Sequence, residues 1–576
     1  MVHRMMLLLS AAATMLWAQP QSGAPDLVMH GGRIVTVDAG FRIAEAMAVR
    51  GERIVAVGAD REILALAGQA TRRLDLAGKT VLPGLIDSHV HAVGAAMHEF
   101  DHPIPEMETV GDVLAYVRAR AAVLGPGRWI SLSQVFITRL KEQRYPTREE
   151  LDRAAPENPV VFRTGPDASL SSLALKRSGI DRNFQITDGK PGRIERDPRT
   201  GEPTGILRSC SRFIRDEPTG KTATVEDRRR RLRELLADYN AVGITSIVDG
   251  DTEDDEVDLY RQLKDRGELS CRTFLALSVD AQAPMEKIEA RIRQAAASPL
   301  HTYDNRLWLR GVKSFLDGGM LTGSAYMLRP WGVSKVYSIE DPEYRGMLYI
   351  PPERLERMAR LALENDLQFT AHSVGDGAVH ALLEAYERID RTLALRGRRP
   401  SLSHANFMSR EAVGKMKALG VVANLQPAWL YLDGATLARQ FGDQRLAWFQ
   451  PYRALFEAGV IVGAGSDHMQ KIGGVRSINP YNPFLGMWIA LTRQPRWMEG
   501  PLHPEHRLSR EQAIRLYTIQ NAWLTFEEKE KGSLEKGKLA DFIVLDKDIL
   551  TCPVEQIRTI RVERTFLGGR QVHPGG

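Results

Sequence analysis

The chain has 576 residues, 43% of them hydrophobic, which is enough for a large core with accessory domains. Its 77 basic and 72 acidic side chains leave a net charge of only +5, so the charge balance does not indicate a nucleic-acid-binding protein. The three cysteines are an odd number spread along the chain, and they indicate no disulfide framework. These bulk properties describe a globular protein whose function has to be inferred from local motifs.

The first residues predict export. Residues 1–4 form a basic start, residues 5–17 are uncharged and largely apolar, and Leu16-Trp17-Ala18 offers a cleavage site before Gln19. We therefore predict a signal peptide over residues 1–18 and a mature protein in the bacterial periplasm. The apolar stretch is shorter than the about 20 residues that a membrane span needs, although an uncleaved anchor is the alternative. No later segment approaches that length, so we expect no stable membrane insertion after cleavage.

The segment 27–83 is predicted to be rich in β-strands. Short apolar runs such as Ile34–Val37 and Ile54–Val57 alternate with glycine turns. We expect these strands to pair with C-terminal strands near Phe542–Leu545 and Thr565–Val572.

A His-x-His tripeptide, His89-Val90-His91, stands at the end of an apolar run that begins at Thr80. Side chains alternate faces along a strand, so the two histidines point the same way and can bind one divalent metal ion. The alternative is that both are half-buried, hydrogen-bonding histidines without a metal.

Three further candidate ligands, His372, His404 and Asp467, also end apolar, strand-like runs. Lys313 lies inside another such run. A charged amino group that points inward is costly to bury unless it is neutralised or modified. The alternative for Lys313 is a structural role, paired with a carboxylate such as Asp317.

The spacing of apolar runs predicts eight strands with helix-like stretches between several of them, which is the alternation of a parallel α/β barrel. The predicted strands are Leu85–His91, Gly243–Asp249, Cys271–Val279, Leu309–Leu316, Gln368–His372, Leu402–His404, Val421–Gln426 and Val460–Asp467. We therefore predict a TIM-type (β/α)8 barrel, in which catalytic groups lie at the carboxyl ends of the strands. The stretch 92–224 is too long for an ordinary connection and must contain its own structure.

One combined pattern resembles the amidohydrolase superfamily, and more narrowly amidohydrolase family 3, the branch that includes N-substituted formamide deformylases. The pattern consists of the run Val81–His91, Lys313, and the motifs at residues 372–376, 403–405 and 465–467. The tail Lys531–Asp546 matches as well, so the resemblance covers nearly the whole mature chain.

The resemblance implies a division into domains. A metal-dependent hydrolase barrel would span residues 84–534, and a small β-sandwich would be built from both termini, residues 27–83 and 535–574. A subdomain inserted after the first barrel strand, at about residues 100–225, would cover the barrel mouth.

The resemblance also implies the ligand set. His89 and His91 would bind a first metal and His372 and His404 a second, so that the protein would hold one or two Zn²⁺ ions. Asp467 would coordinate the first metal and act as the proton-shuttling base. Lys313 would bridge the two metals if it is carbamylated.

A divalent metal lowers the pKa of bound water to about 7 and polarises a substrate carbonyl. The resemblance therefore implies an amidohydrolase that cleaves carbon–nitrogen bonds other than peptide bonds in a small molecule, by attack of metal-activated hydroxide. Hydrolysis of lactones or other esters is an alternative for the same site. A noncatalytic metal-binding scaffold is the alternative from another class, but it would not need the base Asp467. The chain could also form a homo-oligomer.

Two residues beside the proposed ligands are weaker candidates. His468 could meet substrate, although an ordinary loop hydrogen bond is the simpler interpretation. Asp376 could orient a ligand histidine, but Gly375-Asp376 is equally a turn signal.

Overall fold

The computed structural model describes residues 23–133, 135–474 and 479–574. The predicted signal peptide, residues 1–18, lies outside these residues. Within the described ranges, no helix combines the length and the apolar character that crossing a membrane requires.

The N-terminal part of the described chain consists of short strands and one helix. They are β1 (Leu27–His30), β2 (Arg33–Val35), β3 (Ile43–Ala44), β4 (Ala46–Arg50), β5 (Arg53–Gly58), α1 (Asp60–Leu64), β6 (Arg72–Asp75) and β7 (Thr80–Pro83).

The first barrel strand and a mixed α/β segment come next. They comprise β8 (Leu85–Val90), α2 (Ala92–Met97), α3 (Val110–Leu124), β9 (Ile130–Ser133), α4 (Arg148–Ala154), β10 (Val160–Thr164), β11 (Asp167–Leu170), α5 (Ser172–Ser178), β12 (Arg193–Arg196) and β13 (Pro203–Arg208). Strands β9 to β13 form a separate five-stranded sheet, so the long stretch after β8 contains its own structure as predicted.

The remaining barrel strands alternate with helices. They are α6 (Val225–Ala241), β14 (Ile244–Thr252), α7 (Asp254–Asp265), β15 (Arg272–Ser278), α8 (Met285–Ala297), β16 (Leu307–Phe315), α9 (Pro352–Glu364), β17 (Gln368–Ser373), α10 (Asp376–Asp390), β18 (Ser401–His404), α11 (Arg410–Leu419), β19 (Val422–Leu425), α12 (Pro427–Phe441), α13 (Tyr452–Ala458) and β20 (Val462–Ala464).

The C-terminal part completes the fold with α14 (Pro483–Thr492), α15 (Arg510–Leu516), α16 (Ile519–Leu524), β21 (Phe542–Leu545), α17 (Val554–Ile557), β22 (Val562–Leu567) and β23 (Arg570–His573).

Strands from the two termini share one sheet. The six-stranded sheet has the order β23-β22-β21-β7-β2-β3, and a four-stranded sheet has the order β5-β4-β1-β6. Apolar side chains of both sheets, including Met29, Met47, Val81 and Phe542, form a single buried cluster. The expected pairing of N-terminal and C-terminal strands is therefore present, because strands with one apolar face must bury it against another sheet.

The eight predicted barrel strands are confirmed. They form one parallel sheet in the order β8-β14-β15-β16-β17-β18-β19-β20. The sheet closes between its first and last strands, where the Asp467 amide donates to the carbonyl of His89 at 2.8 Å. The side-chain amide of Asn521 spans the same seam and donates to the carbonyls of Ile86 and Ala464. Closure brings the ends of β8 and β20, and hence their polar residues, into contact.

Candidate metal centre

Three of the predicted ligands form a compact cluster at the barrel closure. The Nε2 atoms of His89 and His91 lie 3.4 and 3.3 Å from Asp467 Oδ1. One ligand atom from each residue can be chosen so that all three lie within 4.8 Å of one another. His89 and Asp467 are buried, and His91 is partly exposed towards a pocket. The strand alternation that motivated the prediction thus brings both imidazoles to one carboxylate.

The backbone around Asp467 is held in an unusual conformation. Asp467 has φ +54°, in the left-handed region that residues other than glycine rarely adopt, and β20 consequently ends at Ala464, before the predicted end. The side-chain amide of Asn479 donates to the Asp467 carbonyl at 2.6 Å. Asp87 Oδ1 accepts from the amides of His89 and Ser466, both at 3.0 Å. These bonds hold the backbone of Asp467 and of His89 in place.

A second pair of histidines lies beside the first. The ring centroids of His372 and His404 are 4.5 Å apart, and His404 is 4.9 Å from His89. His404 also stacks on Trp429, with ring planes 14° apart. All four predicted histidines are therefore neighbours, although they come from three different strand ends.

Hydrogen bonds fix which nitrogen of each second-pair histidine is free. His404 Nδ1 faces Gln426 Oε1 at 2.8 Å, so Nδ1–H donates and Nε2 keeps its lone pair. His372 Nε2 faces the carbonyl of Gly318 at 3.3 Å, so Nε2–H donates and Nδ1 keeps its lone pair. Metal-binding histidines are commonly oriented by a hydrogen bond that the other ring nitrogen donates to an oxygen acceptor. His404 therefore offers Nε2, and His372 offers Nδ1, as the lone-pair nitrogen that a metal ion could use.

Burial keeps most of these imidazoles neutral. It lowers the pKa of His372 to about 3 and holds the pKa values of His89 and His404 well below the usual range, with the Lys313 charge and the other histidines adding to the effect. Burial also acts to lower the pKa of His91, but the bond to Asp467 outweighs it and the net shift is upward. Neutral imidazole is the form that binds a metal.

Lys313 lies at the centre of the site. Its side chain is 1% exposed, and its Nζ makes no hydrogen bond with any described residue. Burial lowers its pKa to about 8, although the charges of Asp251 and Asp467 act in the opposite direction. The structural alternative, a pair with Asp317, is not formed, because the Asp317 carboxylate accepts from the amides of Tyr326, Val374 and Gly375 instead.

The donor set fits a divalent cation. His89 Nε2 and Lys313 Nζ are buried polar atoms without a hydrogen-bond partner in the described part of the chain. Such atoms are rare in native proteins and call for an explanation, for which a bound ion is one candidate. Imidazole nitrogen and carboxylate oxygen are the ligands that zinc accepts. His89, His91 and Asp467 could hold one ion, and His372 and His404 could contribute to a second.

The cluster opens into a pocket of about 850 Å³. His91, Lys313, His372, His404 and Asp467 all line it. The segment between β8 and α6 also lines the pocket, through residues that include Ser133, Phe136, Pro166, Lys190, Ser209 and Arg212. The glycine-rich loop 318–322 after β16 lines the pocket as well. A small molecule in this pocket would contact both the candidate ligands and the segment that follows β8.

The two weaker candidates, His468 and Asp376, belong neither to the ligand cluster nor to the pocket lining. His468 Nδ1 bonds to the Tyr239 hydroxyl at 2.7 Å and its Nε2 to two backbone carbonyls, so it makes the ordinary hydrogen bonds that the simpler interpretation expected. Asp376 begins α10 and accepts from the Leu328 amide, and it bonds to neither ligand histidine. Neither residue is among those that line the pocket.

Sequence reasoning missed Gln426 and Asp251. Gln426 follows β19 and orients His404, and Asp251 is in β14 and lines the pocket beside His91 and Lys313. Gln426 ends a predicted strand, so its position at the carboxyl end of a barrel strand was an available signal. Asp251 also lies at the carboxyl end of a barrel strand, but its orientation towards the pocket depends on an irregularity in β14 that the sequence does not indicate.

Comparisons with known proteins identify the family. The model of the amidohydrolase family matches residues 72–573. An N-substituted formamide deformylase from Arthrobacter pascens is 30% identical over 566 residues, covering 94% of this chain and 97% of that protein. The putative amidohydrolase YtcJ from Bacillus subtilis (strain 168) is 25% identical, covering 95% of this chain and 99% of that protein.

Solved structures share the fold. An uncharacterized metal-dependent hydrolase from Pyrococcus furiosus superposes with a TM-score of 0.64 at 22% identity, covering 91% of this chain and 100% of that chain. An atrazine chlorohydrolase variant from Arthrobacter aurescens, solved with zinc and atraton, superposes with a TM-score of 0.51 at 18% identity, covering 95% of this chain and 94% of that chain. The chain therefore belongs to the amidohydrolase family, within amidohydrolase family 3.

Proposed function

We propose that this protein is a metal-dependent hydrolase that cleaves a carbon–nitrogen bond in a small, non-peptide amide. The observation that carries the proposal is the convergence of His89, His91 and Asp467 on one point of the pocket wall, with Lys313 and the His372–His404 pair beside them. The family membership and the formamide deformylase relative support the same chemistry.

The proposed metal is zinc, held by His89, His91 and Asp467, with His372 and His404 holding a second ion if the site is binuclear. When bound, it acidifies water and polarises the substrate carbonyl. Buried, neutral imidazoles whose other nitrogens are already bonded are suited to hold such an ion.

Asp467 is the proposed proton carrier. Its carboxylate is buried at the pocket wall, where it can take a proton from the attacking water and return one to the leaving nitrogen. The net reaction adds water across the C–N bond and yields a carboxylate and an ammonium ion. The closed seam between β8 and β20 keeps the carboxylate in place during both transfers.

Lys313 is proposed to carry a carbamate. Carbamylation requires a neutral amine, and the lowered pKa of Lys313 makes that form accessible near neutral pH. The modified side chain would be negatively charged and would offer two oxygens to the ligand cluster, which removes the cost of burying an unpaired ammonium group.

The cellular setting is part of the proposal. We propose export to the bacterial periplasm, which the leader-like residues 1–18 support. We also propose the domain division given above, with a barrel over residues 84–534, a β-sandwich from residues 27–83 and 535–574, and an inserted subdomain at about residues 100–225.

The test is a substrate screen on zinc-reconstituted protein. We expect turnover of at least one member of a panel of N-substituted formamides, N-acyl amino acids and cyclic amides, with lactones as the comparison class. The Asp467→Asn variant, checked for metal content, is the matched control. Turnover of lactones alone would replace amide by ester hydrolysis, and a fully metallated protein inert towards the whole panel would favour the binding scaffold.

A further inference from the structure

Asp251 is a pocket residue with an unusual backbone and no assigned role. It is half-buried, it lies in β14, and it lines the pocket together with His91 and Lys313. In the described part of the chain its carboxylate makes no hydrogen bond or ion pair. Its charge acts to raise the pKa values of both His91 and Lys313, so it lies within electrostatic reach of the two groups without a direct bond to either.

A β-bulge points Asp251 into the pocket. In a regular strand, Asp249 and Asp251 would project from the same face. Asp249 points away from the pocket, where it accepts from the Tyr260 hydroxyl at 2.5 Å and the Ala92 amide at 3.3 Å. The pairing of β14 with β15 slips by one residue between Gly250 and Thr252, so that Asp251 is the additional residue. Bulges of this kind re-aim a side chain next to an active site.

The bulge also has a conformational cost. Asp251 has φ +77°, a left-handed conformation that residues other than glycine rarely adopt. The adjacent Gly250 packs against the His89 ring, which an added Cβ would meet at 3.4 Å, in ordinary contact. The fold therefore accepts local strain at Asp251, and this conformation places the carboxylate beside the candidate metal ligands.

We propose that Asp251 binds the leaving nitrogen of the substrate. This inference rests on the proposed C–N hydrolysis. When the C–N bond breaks, its electron pair stays on nitrogen, the carbonyl carbon gains the water oxygen, and the nitrogen takes up protons to leave as R–NH₃⁺ beside R–COO⁻. A carboxylate attracts N–H donors and ammonium, and charge-assisted bonds of this type are stronger than neutral ones. An alcohol leaving from an ester offers a single neutral O–H, so Asp251 favours amides over esters.

Binding of an amine can be measured in the absence of turnover. Butylamine and 1-butanol have the same shape, and at pH 7 the amine is protonated. Isothermal titration of zinc-loaded wild type should show tighter binding of butylamine than of 1-butanol. We expect Asp251→Asn to weaken butylamine binding about 10-fold to 100-fold and to leave 1-butanol unaffected, as the loss of one charge-assisted bond predicts. Zinc content should stay at the wild-type level.

Asp280→Asn is the charge-matched control. Asp280 lines the same pocket, but its carboxylate already accepts from the Gln282 amide. Equal weakening by both variants would mean that only the net pocket charge matters, and that result would overturn the assignment. Equal butylamine affinity in wild type and Asp251→Asn, or zinc lost from Asp251→Asn, would overturn it as well.

A kinetic comparison separates this inference from the proposed function. For N-butylacetamide and butyl acetate, Asp251→Asn should lower kcat/KM for the amide by about 10-fold to 100-fold and change the ester value less than about 2-fold. Equal losses for both substrates would contradict the inference. If wild type hydrolyses no amide while butylamine binding still depends on Asp251, the ammonium site stands and the proposed function fails.

Discussion

Replacing Lys313 by methionine gives the most informative perturbation of the site. Burial lowers the lysine pKa from 10.5 to about 8, because its ammonium group is taken out of water without a hydrogen-bond partner among the described residues. The folded-state pKa lies below the unfolded value, so protonated Lys313 destabilises the folded, metal-free protein at every pH below about 8. The difference in pKa corresponds to about 3 kcal/mol. This penalty disappears as the pH rises from about 8 to about 10.5.

Methionine has a similar length and no charge, so it should relieve the penalty. We expect the metal-free Lys313→Met protein to have a higher Tm than metal-free wild type at pH 7, and the two values to converge towards pH 10. In the presence of zinc the order should reverse, because the variant lacks the proposed bridging group. Its metal content and rate should fall. In Lys313→Ala, which leaves space at this position, short carboxylic acids should partly restore both by replacing the missing oxygens.

Differential scanning fluorimetry across pH, with and without zinc, gives the stability data, and elemental analysis gives the metal content. Lys536→Ala, which removes an exposed lysine, is the control and should change neither quantity. If metal-free Lys313→Met is less stable than wild type at pH 7, or if it keeps full metal and full rate, Lys313 is a structural residue and the reasoning is refuted.

The remaining predictions concern the groups around the ligands. Asp467→Asn should lower kcat by about 10²-fold to 10⁴-fold at saturating zinc, and a near wild-type rate with metal retained would exclude Asp467 as the base. Gly465→Ala should reduce zinc binding, because its Cβ would lie 2.6 Å from the His89 backbone nitrogen, whereas Gly414→Ala meets nothing within 4 Å and should bind zinc normally. Gln426→Ala should weaken zinc affinity about 10-fold to 100-fold, measured by chelator competition; unchanged affinity would show that the bond to His404 is dispensable.

The sequence predicts the barrel well because its strands are buried and end in polar residues. Lys313 and His372 lie on the adjacent parallel strands β16 and β17. In that pair Lys313 is opposite Thr370, and Phe315 is opposite His372. The end of β20 was predicted less well. The predicted strand runs to Asp467, but the left-handed backbone at Asp467 and the seam bonds end the strand at Ala464.

The orientation of individual groups could not be predicted. Asp251 faces the pocket only because β14 carries a bulge, and strand alternation alone would place it with Asp249 on the other side. The tautomer of His372 depends on a backbone carbonyl, that of Gly318, which has no residue-specific signature. The wall formed by the segment after β8 depends on how its own sheet packs over the barrel, a long-range arrangement that local periodicity does not encode.

The most direct test of the metal centre is elemental analysis of purified, zinc-reconstituted mature protein. We predict one or two equivalents of zinc per chain in the wild type. Replacing His89 and His91 together by alanine should remove the first ion. His503 is a partly exposed histidine outside the pocket lining, and the control variant His503→Ala should keep the wild-type zinc content. A wild-type protein without zinc after reconstitution, or a double variant with full zinc, would contradict the assignment of this cluster as a metal site.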